Sequence, residues 1–406
     1  MKLLKFFTKL SVFSIILGEV FRVSLGNDIF IKPQDALIVI CVFLFIIYCI
    51  KVRKFPKNFL LKPIAVFTLF ALIALLVNSG SLNGNQLLTS FSYLIRWVMY
   101  AAMYVIIVNF DDGFKKTLIK VMFVSGLIVV VCGYLQYFLY PNLRNLYYLG
   151  WDEHNYRMFS VFLDPNFAGA FFVLFLLFAF EWINIQMRGN SNRNTILLYA
   201  VAILTFTATL LTYSRSAILM LVTGLVTYLI LIRRKKLIFL FFGISALALV
   251  LLSPTFNKEN TNLLRVTSGL ARLETYDNAI EIIKDRPLFG VGFNAYRYTQ
   301  QLYGFRDAKT QFENHADSGV DNSFLFVFAT TGILGLSAYI YLWFRILNHF
   351  FILKPKKVNI HSAVIISSVS GLFINSLFIN SLFFAPVMLW MWAIIGVSEK
   401  VNSTQP

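Results

Sequence analysis

The sequence predicts an all-α, polytopic integral membrane protein with about 12 transmembrane helices and one large extracytoplasmic loop. Of its 406 residues, 58% are hydrophobic and only 14% are charged, whereas soluble domains carry about 25% charged residues. Its apolar runs are long, and a helix needs about 20 apolar residues to cross a bilayer. The basic residues lie in short clusters between these runs, the pattern that orients membrane helices. Most of the chain is therefore expected to lie in lipid.

The net charge of +17 does not indicate a nucleic-acid-binding protein. Such proteins collect their basic residues on one face or along one helix, whereas here they are spread over many connections. Cys41, Cys49 and Cys132 lie inside apolar runs and show neither disulfide nor metal-ligand spacing. The first apolar run, from about Leu10, lacks a small-residue cleavage site, so it is predicted to be a retained helix.

The apolar runs predict the membrane map. Spans are expected near residues 6–25, 35–51, 62–79, 88–108, 117–139, 164–183, 195–213, 216–232, 236–252, 322–347, 361–379 and 382–398. The chain is accordingly divided into an N-terminal bundle of about nine helices (1–252), an extracytoplasmic loop with short helices (253–321), and about three C-terminal helices with a cytoplasmic tail (322–406).

Lysine and arginine predict the orientation of these spans. If the N-terminus is cytoplasmic, the connections on that side hold most of the basic residues and few acids, and the opposite connections are close to neutral. The positive-inside rule therefore places both termini in the cytoplasm. The 253–321 loop then faces outward, where ordered chain is a natural place for a site.

The 253–321 loop contains two predicted elements. Residues 270–283 have helical periodicity, with Leu273, Ala279, Ile280 and Ile283 roughly on one face. Further along the loop, the spacing of Pro287, Gly290 and Gly292 predicts a tight turn.

The span after the loop has glycines and a polar entrance. Asp321 and Asn322 lead directly into it. Gly332 and Gly335 predict close packing against another helix.

Several arginines do not fit a passive membrane span. Arg96 lies in the middle of a predicted helix, where it serves either a site or a structural pair with an acid such as Glu19. Arg215 lies in a hairpin between two spans, a position that an interfacial anchor also takes. Arg157 precedes a Pro-Asn step at the start of a helix, whose backbone N–H groups are expected to be free to meet an anion.

In this order, the motifs resemble the O-antigen ligase and O-antigen polymerase family of bacterial envelope glycosyltransferases. The matching elements are Arg96 in its helix, R-M-F-S-V-F-L-D-P-N at 157–166, T-Y-S-R-S at 212–216, R-P-L-F-G-V-G at 286–292, and D-N-S-F-L…T-G-I-L-G-L at 321–336. In that family a long loop late in the chain faces the periplasm or cell exterior, as the charge pattern independently predicts here.

The resemblance implies an inverting, metal-independent transfer without a cofactor. A glycan moves from undecaprenyl pyrophosphate to a sugar hydroxyl, either on another lipid-linked repeat unit (polymerase) or on lipid A core (ligase). The implied location is the bacterial inner (plasma) membrane. The implied partners are the lipid-linked glycan and the bilayer, with a chain-length regulator and a flippase as further candidates, and no nucleic acid.

The implied chemistry selects site residues. The leaving group is a polyanion, and guanidinium binds phosphate oxygens bidentately without losing its proton. Arg215 and Arg272 are therefore the predicted catalytic cations, and Arg157 and Arg96 are supporting charges. Asn166 and Asn322 are predicted to contact the pyrophosphate or the glycan.

The acceptor hydroxyl also needs a base, and Asp321 is the hypothesis. The ligases commonly have His-Asn where this chain has Asp321-Asn322, and this difference favours a polymerase. His315 is the reserve base. The alternative for Asp321 is an N-cap of the following helix, and the sequence leaves both roles open.

Two other classes of membrane protein compete with a glycan transferase. A transporter or flippase of lipid-linked oligosaccharide often shows matched halves with broken helices, and the sequence shows no convincing halves. A receptor or assembly factor would explain the long loop but not arginines spread over several connections.

Overall fold

The computed structural model describes residues 1–26, 29–53, 58–187, 192–234, 236–238, 243, 261–263, 267–306, 319–352 and 360–399. These residues are almost entirely helical. The helices are α1 (Lys2–Phe13), α2 (Pro33–Val52), α3 (Leu61–Val77), α4 (Gly84–Val108), α5 (Asp112–Leu139), α6 (Pro165–Met187), α7 (Asn192–Leu211), α8 (Arg215–Leu231), α9 (Thr267–Asp285), α10 (Tyr296–Leu302), α11 (Ser323–Ile352), α12 (Ile360–Ser376) and α13 (Ala385–Ser398).

The structure confirms a helical membrane protein. The second to the eighth predicted spans and the last three coincide with helices. Within the described residues, five helices are long and apolar enough to cross a membrane: Pro33–Val52, Gly84–Val108, Asp112–Leu139, Pro165–Trp182 and Ser323–Phe351. Shorter apolar helices are Leu61–Val77, Ile196–Leu211, Arg215–Leu231, Ser362–Ser376 and Ala385–Ser398. The ninth predicted span, 236–252, lies for the most part outside the described residues.

The first predicted span, 6–25, is wrong in its second half. Helix α1 ends at Phe13, a 3₁₀ turn follows over Ser14–Leu17, and Gly18 then redirects the chain with a φ of 49°. Strand β1 (Val23–Ser24) pairs antiparallel with β2 (Phe30–Ile31). The apolar composition of the run masked this break, because a short hairpin with apolar side chains reads like the end of a span.

The helices form two compact units. The first comprises Met1–Ser125, Leu273–Ile346 and Leu382–Pro406, and the second comprises Gly126–Arg272 and Leu347–Ser381. In the first unit α4 packs against α2, α3 and α13. Each unit draws on segments that are distant in sequence, so neither can assemble from local chain alone.

Close helix crossings define the second unit. Helix α6 packs against α7, α8 and α12, and α12 packs against α8. Small residues allow these approaches: a Cβ added at Gly169 on α6 would lie only 2.5 Å from the Cβ of Ala217 on α8. Such glycines let membrane helices gain van der Waals contact where apolar burial offers little driving force.

The helix predicted over 270–283 is confirmed as α9, but its buried face differs from the prediction. Ala279 and Ile283 are buried as expected, whereas Leu273 and Ile280 are 58% and 41% exposed. Ile282 takes their place with no exposed surface. The apolar residues of α9 cover more than one face, and only the packing partner decides which of them is buried.

Candidate active site

The turn between α7 and α8 carries the first predicted catalytic residue. Helix α7 ends at Leu211 and α8 begins at Arg215, so three residues reverse the chain. Tyr213 adopts a left-handed φ of 48°, an unfavourable conformation for a non-glycine residue. Ser214 is the N-cap of α8. The predicted hairpin is thus confirmed, and Arg215 occupies the first turn of α8.

The side chain of Arg157 stabilises this turn through contacts with its backbone carbonyl groups. Its Nε donates to the carbonyl oxygen of Thr212 at 2.9 Å, and one terminal nitrogen lies 3.5 Å from the carbonyl oxygen of Tyr213. The residue is only 6% exposed. A buried guanidinium that donates to backbone carbonyls fixes the chain around it, so Arg157 positions the turn that leads to Arg215.

Asn166 links the turn to helix α6. Its Oδ1 accepts from the Ser214 hydroxyl at 2.9 Å and lies 3.4 Å from Arg157. The carboxylate of Asp164 accepts from the backbone N–H groups of Asn166 and Phe167 at 2.6 and 3.2 Å. The expectation that these N–H groups are free to meet an anion is therefore wrong, because Asp164 caps them.

The segment around Arg157 has an unusual backbone. His154, Tyr156, Ser160 and Leu163 all have a positive φ. Strained conformations of this kind persist only where surrounding contacts fix them, and they cluster at functional sites.

The side chain of Gln136, which the sequence did not single out, fixes part of this strained segment. Its Oε1 accepts from the N–H groups of Phe159 and Ser160 at 2.8 and 3.1 Å, and its Nε2 lies 3.3 Å from the carbonyl oxygen of Arg157. The available signal was a polar side chain inside the predicted span 117–139.

An ion pair between Arg144 and Glu153 stabilises the loop that precedes Arg157. Asn155 and Arg144 both donate to the carboxylate of Glu153, at 2.8 and 3.1 Å. These hydrogen bonds hold the pKa of Glu153 below its usual range, with the Asn155 bond as the larger cause. The pair is exposed, so it contributes little to stability.

Arg215 and Arg272 both belong to the second unit. Arg215 lies within electrostatic range of the positive charge of Arg272. Both residues are partly buried. Like charges held in proximity raise the energy of the site, and a bound polyanion would offset that cost. Arg157, Asn166, Arg215 and Arg272 therefore all belong to the second unit.

Asp321 and Asn322 lie in the first unit, at the start of α11. The Oδ1 of Asn322 accepts from the N–H groups of Phe324 and Leu325 at 2.9 and 3.0 Å, so Asn322 is the N-cap. Tyr276 on α9 donates its hydroxyl to the carbonyl oxygen of Asp321 at 3.1 Å. The capping role that was the alternative for Asp321 therefore belongs to its neighbour. His315 lies outside the described residues.

Helix α11 is broken at Gly332, which has a φ of 66° and a ψ of −171°. The turn predicted at 287–292 is confirmed and enters this break. Val291 donates its N–H to the carbonyl oxygen of Ala329 at 2.9 Å, and Ile333 donates to that of Pro287 at 2.9 Å. These bonds satisfy backbone groups that the break exposes, as an apolar environment demands.

The Gly332 prediction needs correction. Close helix packing was expected there, but a Cβ added at Gly332 would lie 2.1 Å from the carbonyl oxygen of Leu288 in the inserted turn. A Cβ at Gly290 would lie 2.5 Å from the carbonyl oxygen of Ala329. Both glycines are therefore needed for one loop to dock into one helix.

Arg96 has the geometry of a structural pair. One terminal nitrogen lies 2.9 Å from Oδ2 of Asp35 and also contacts the carbonyl oxygen of Phe30. The hydroxyl of Tyr100 donates to the other carboxylate oxygen of Asp35 at 2.8 Å. The acid is Asp35 rather than Glu19, which pairs with Lys32. A substrate-binding role for Arg96 stays a prediction, without support from these contacts.

The geometry suits a reaction on an anionic substrate. A braced turn leads into Arg215, within electrostatic range of Arg272, and the bracing groups Arg157 and Ser214 are themselves buried and hydrogen-bonded. Preorganised cations of this kind stabilise charge that develops on a leaving group, since they need no reorganisation when the reaction occurs.

Comparison with known families covers the same region. A family model described as O-antigen ligase matches residues 200–340, which include the α7–α8 turn, α9 and the break in α11. No curated protein matches the chain. The match confirms the resemblance seen in the sequence motifs. Over residues 200–340 the chain is therefore similar to the O-antigen ligase family, whose members are membrane glycan-transfer enzymes.

Proposed function

We propose that this protein is a polymerase of bacterial surface polysaccharide, such as O-antigen, capsule or exopolysaccharide. It transfers a glycan from undecaprenyl pyrophosphate to a sugar hydroxyl of another lipid-linked repeat unit. The observation that carries the proposal is the turn braced by Arg157, which leads into Arg215, with Arg272 within electrostatic range. Two guanidinium groups in one unit match a pyrophosphate, which carries several negative charges.

In the proposed reaction, the acceptor hydroxyl oxygen attacks the anomeric carbon of the donor sugar. The bond from that carbon to the pyrophosphate oxygen breaks, and the configuration inverts. Arg215 and Arg272 stabilise the negative charge that develops on the leaving pyrophosphate. Loss of one such contact typically lowers kcat by about 10²–10³.

Asp321 is the proposed general base that takes the proton of the acceptor hydroxyl. Its support is the observation that Asn322 caps α11, so capping does not require the Asp321 carboxylate. Asn166 acts with Arg157 as a positioning residue.

Polymerase is preferred to ligase because Asp321-Asn322 stands where the ligases commonly have His-Asn. The ligase activity, transfer to lipid A core, is the second candidate, and the description of the matching family favours it. The two reactions share donor and leaving group, so the arginine site serves either one.

The proposal includes the setting of the enzyme. It lies in the inner (plasma) membrane with both termini in the cytoplasm, and the 253–321 region faces the periplasm or exterior. Donor and acceptor reach that side through a flippase, and a chain-length regulator is the further proposed partner.

Surface-glycan length in a deletion strain tests the proposal. The strain is complemented with wild type, with Arg215→Ala, or with Arg144→Ala, a control that removes an exposed arginine paired with Glu153. We expect single repeat units in the deletion strain, long glycan with wild type and the control, and no rescue by Arg215→Ala at equal membrane abundance.

The other outcomes separate the alternatives. Loss of all transfer to lipid A core, with long lipid-linked polymer accumulating, would establish the ligase. Unchanged glycan in the deletion strain, in the absence of a paralogue, would contradict the transferase and favour a transporter.

A further inference from the structure

The carbonyl group of Asp321 accepts a hydrogen bond from another helix. Asn322, the N-cap of α11, accepts the backbone N–H of Phe326 at 2.9 Å, so Asp321 lies one residue before the helical hydrogen bonds. The hydroxyl of Tyr276 on α9 donates to the Asp321 carbonyl oxygen at 3.1 Å, although 45 residues separate the two in sequence. Both residues belong to the first unit. The peptide bond that follows Asp321 is therefore held by a side chain from a different element.

Further contacts fix the residues that follow Asp321. The side chain of Asn322 accepts two backbone N–H groups from the first turn of α11. The hydroxyl oxygen of Ser323 accepts the N–H of Leu382 at 3.2 Å, from the 3₁₀ turn before α13. The backbone over 321–323 is thus hydrogen-bonded to α9, to the first turn of α11 and to the turn before α13.

The burial of this segment suits a reactive carboxylate. Val320 is 1% exposed and Ser323 has no exposed surface, whereas Asp321 between them is partly exposed. A general base needs a fixed position within hydrogen-bonding reach of the proton that it takes. The buried neighbours and the Tyr276 hydrogen bond provide the fixed position, and the partial exposure of Asp321 leaves it accessible to a substrate.

Helix α9 can present the Tyr276 hydroxyl with little freedom. Ala279 and Ile283, three and seven residues after Tyr276, lie on the same face of the helix and are buried. Tyr276 itself is partly buried. A tyrosine side chain has only two rotatable torsions, so it loses little conformational entropy when it holds an acceptor.

We propose that Tyr276 is a positioning residue for Asp321, the proposed general base. The inference rests on the proposed function and deepens it. By holding the peptide bond after Asp321, the hydroxyl restricts the backbone torsion ψ of Asp321 and so the direction in which its carboxylate leaves the chain. Tyr276 itself takes no part in the proton transfer. Such positioning matters because a displacement of 1 Å can cost about 10²-fold in rate.

Tyr276→Phe tests this role, because it removes only the hydroxyl. The matched control is Tyr303→Phe, which removes a hydroxyl that donates to the Asp285 carboxylate at 2.6 Å in an exposed position. Glycan transfer is measured with the full chain in lipid nanodiscs. The undecaprenyl-pyrophosphate-linked repeat unit that accumulates in the deletion strain serves as donor and acceptor. Thermal unfolding of each variant is measured alongside.

We expect Tyr276→Phe to lower kcat about tenfold, because the carboxylate is less well placed for the proton transfer. Its KM should stay at the wild-type value, since the lost contact acts on the reaction step and not on the binding of substrate. Tyr303→Phe should transfer glycan like wild type. Both variants should unfold cooperatively, as wild type does.

Asp321→Glu distinguishes positioning from a role in the fold. The additional methylene moves the carboxylate away from the position that the Tyr276 contact sets. Removal of the Tyr276 hydroxyl in this background should therefore change kcat much less than it does in wild type. A residue that acts only on the fold would lower kcat by the same factor in both backgrounds, because the two effects would be independent.

Two groups of results would overturn the inference. Equal kcat for Tyr276→Phe and Tyr303→Phe would do so, as would a raised KM with unchanged kcat or the same loss in the Asp321→Glu background. With an inactive Asp321→Asn, these results leave the proposed function intact. Full transfer by Asp321→Asn, or wild type that cannot extend the repeat unit, contradicts the proposed function itself and this inference with it.

Discussion

The guanidinium of Arg157 is buried among carbonyl and amide oxygens rather than open to a ligand. Its hydrogen bond to Thr212 and its approach to Tyr213 offset the cost of removing a charge from water. Because Tyr213 is held in a left-handed conformation, the turn needs this external support. The role of Arg157 at the site is therefore indirect, through the position of Arg215.

Arg157→Lys tests that role. Lysine keeps the charge but lacks the planar fork that reaches both carbonyls and Asn166. We expect glycan transfer to fall about 100-fold and the protein to lose about 2–3 kcal/mol of stability, the scale of hydrogen bonds to a charged group. Transfer assays and thermal unfolding in nanodiscs measure the two effects.

Arg144→Lys is the control for Arg157→Lys. It alters an exposed ion pair with Glu153 in the same part of the chain, and exposed pairs contribute about 0–1 kcal/mol. If Arg157→Lys behaved like Arg144→Lys, the turn would not depend on Arg157.

Asp321 and Asn322 are adjacent but have separable roles. Asn322→Ala removes the cap of α11 and should cost about 1 kcal/mol of stability, with transfer reduced only in proportion to folded protein. Asp321→Asn should abolish polymer synthesis by protein that folds and inserts, because an amide cannot accept the proton. Thermal unfolding and polymer length distinguish the two, and full polymer synthesis by Asp321→Asn would exclude it as the base.

Sequence reasoning reached some of these residues and missed others for a physical reason. An arginine near a predicted membrane span is conspicuous because its cost in lipid requires an explanation. Gln136 carries no charge and lies in an apolar run, where a single amide resembles an ordinary helix residue. Whether such an amide is paired depends on helices distant in sequence, and this is visible only in the folded chain.

At the scale of elements, the break in α11 is a docking site for part of the preceding loop. The turn at 287–292 inserts its backbone at Gly332 and forms hydrogen bonds on both sides of the break. The amide of Asn78 donates to the carbonyl oxygen of Gly290 at 3.0 Å and so ties α3 to the same turn. This turn, part of the loop predicted to lie outside the membrane, is therefore anchored to two elements of the first unit, α3 and α11.

Gly332→Ala should disrupt this docking. The left-handed conformation alone costs a residue with a Cβ about 1–2 kcal/mol, and the added methyl would lie 2.1 Å from the Leu288 carbonyl oxygen. We expect loss of folded protein or protease sensitivity of the 286–292 turn. Limited proteolysis in membranes measures this.

Gly269→Ala is the matched control for Gly332→Ala. It lies on α9, where an added Cβ meets nothing within 4 Å, so it should stabilise that helix slightly. If the 286–292 turn resisted protease equally well in Gly332→Ala and in Gly269→Ala, the break would tolerate a side chain.

The positions of most helices could be predicted because they depend on local properties of the sequence. The errors concerned features that depend on contacts between residues distant in sequence. Apolar run length is a local quantity, so most helices were predicted near their observed bounds. A glycine in an apolar run reads identically whether it serves packing, as Gly371 does, or a break, as Gly332 does. The two cases differ in the contact partner, which is Met220 on α8 for Gly371 and a turn some 40 residues earlier for Gly332.

At the scale of the molecule, contacts in the first unit bring both ends of the chain toward the same end of the helices. Lys5 near the N-terminus forms an ion pair with Asp111, just before α5. Glu399 after α13 accepts from the Tyr104 hydroxyl at 2.6 Å, near the end of α4. Lys115, one turn into α5, donates to the Glu399 carbonyl oxygen at 2.7 Å. This arrangement supports an even number of crossings between the termini.

Reporter fusions test which side of the membrane that end occupies. The positive-inside rule predicts the cytoplasm, so a fluorescent protein that folds only there should fluoresce when fused after Glu399 or Arg53. Alkaline phosphatase, which requires export, should be active when fused after Asn262 and inactive after Arg53. An active phosphatase after Glu399 or an inactive one after Asn262 would contradict the orientation. The site would then face a compartment that the proposed reaction does not use, because the flipped donor and its acceptor lie on the outer side.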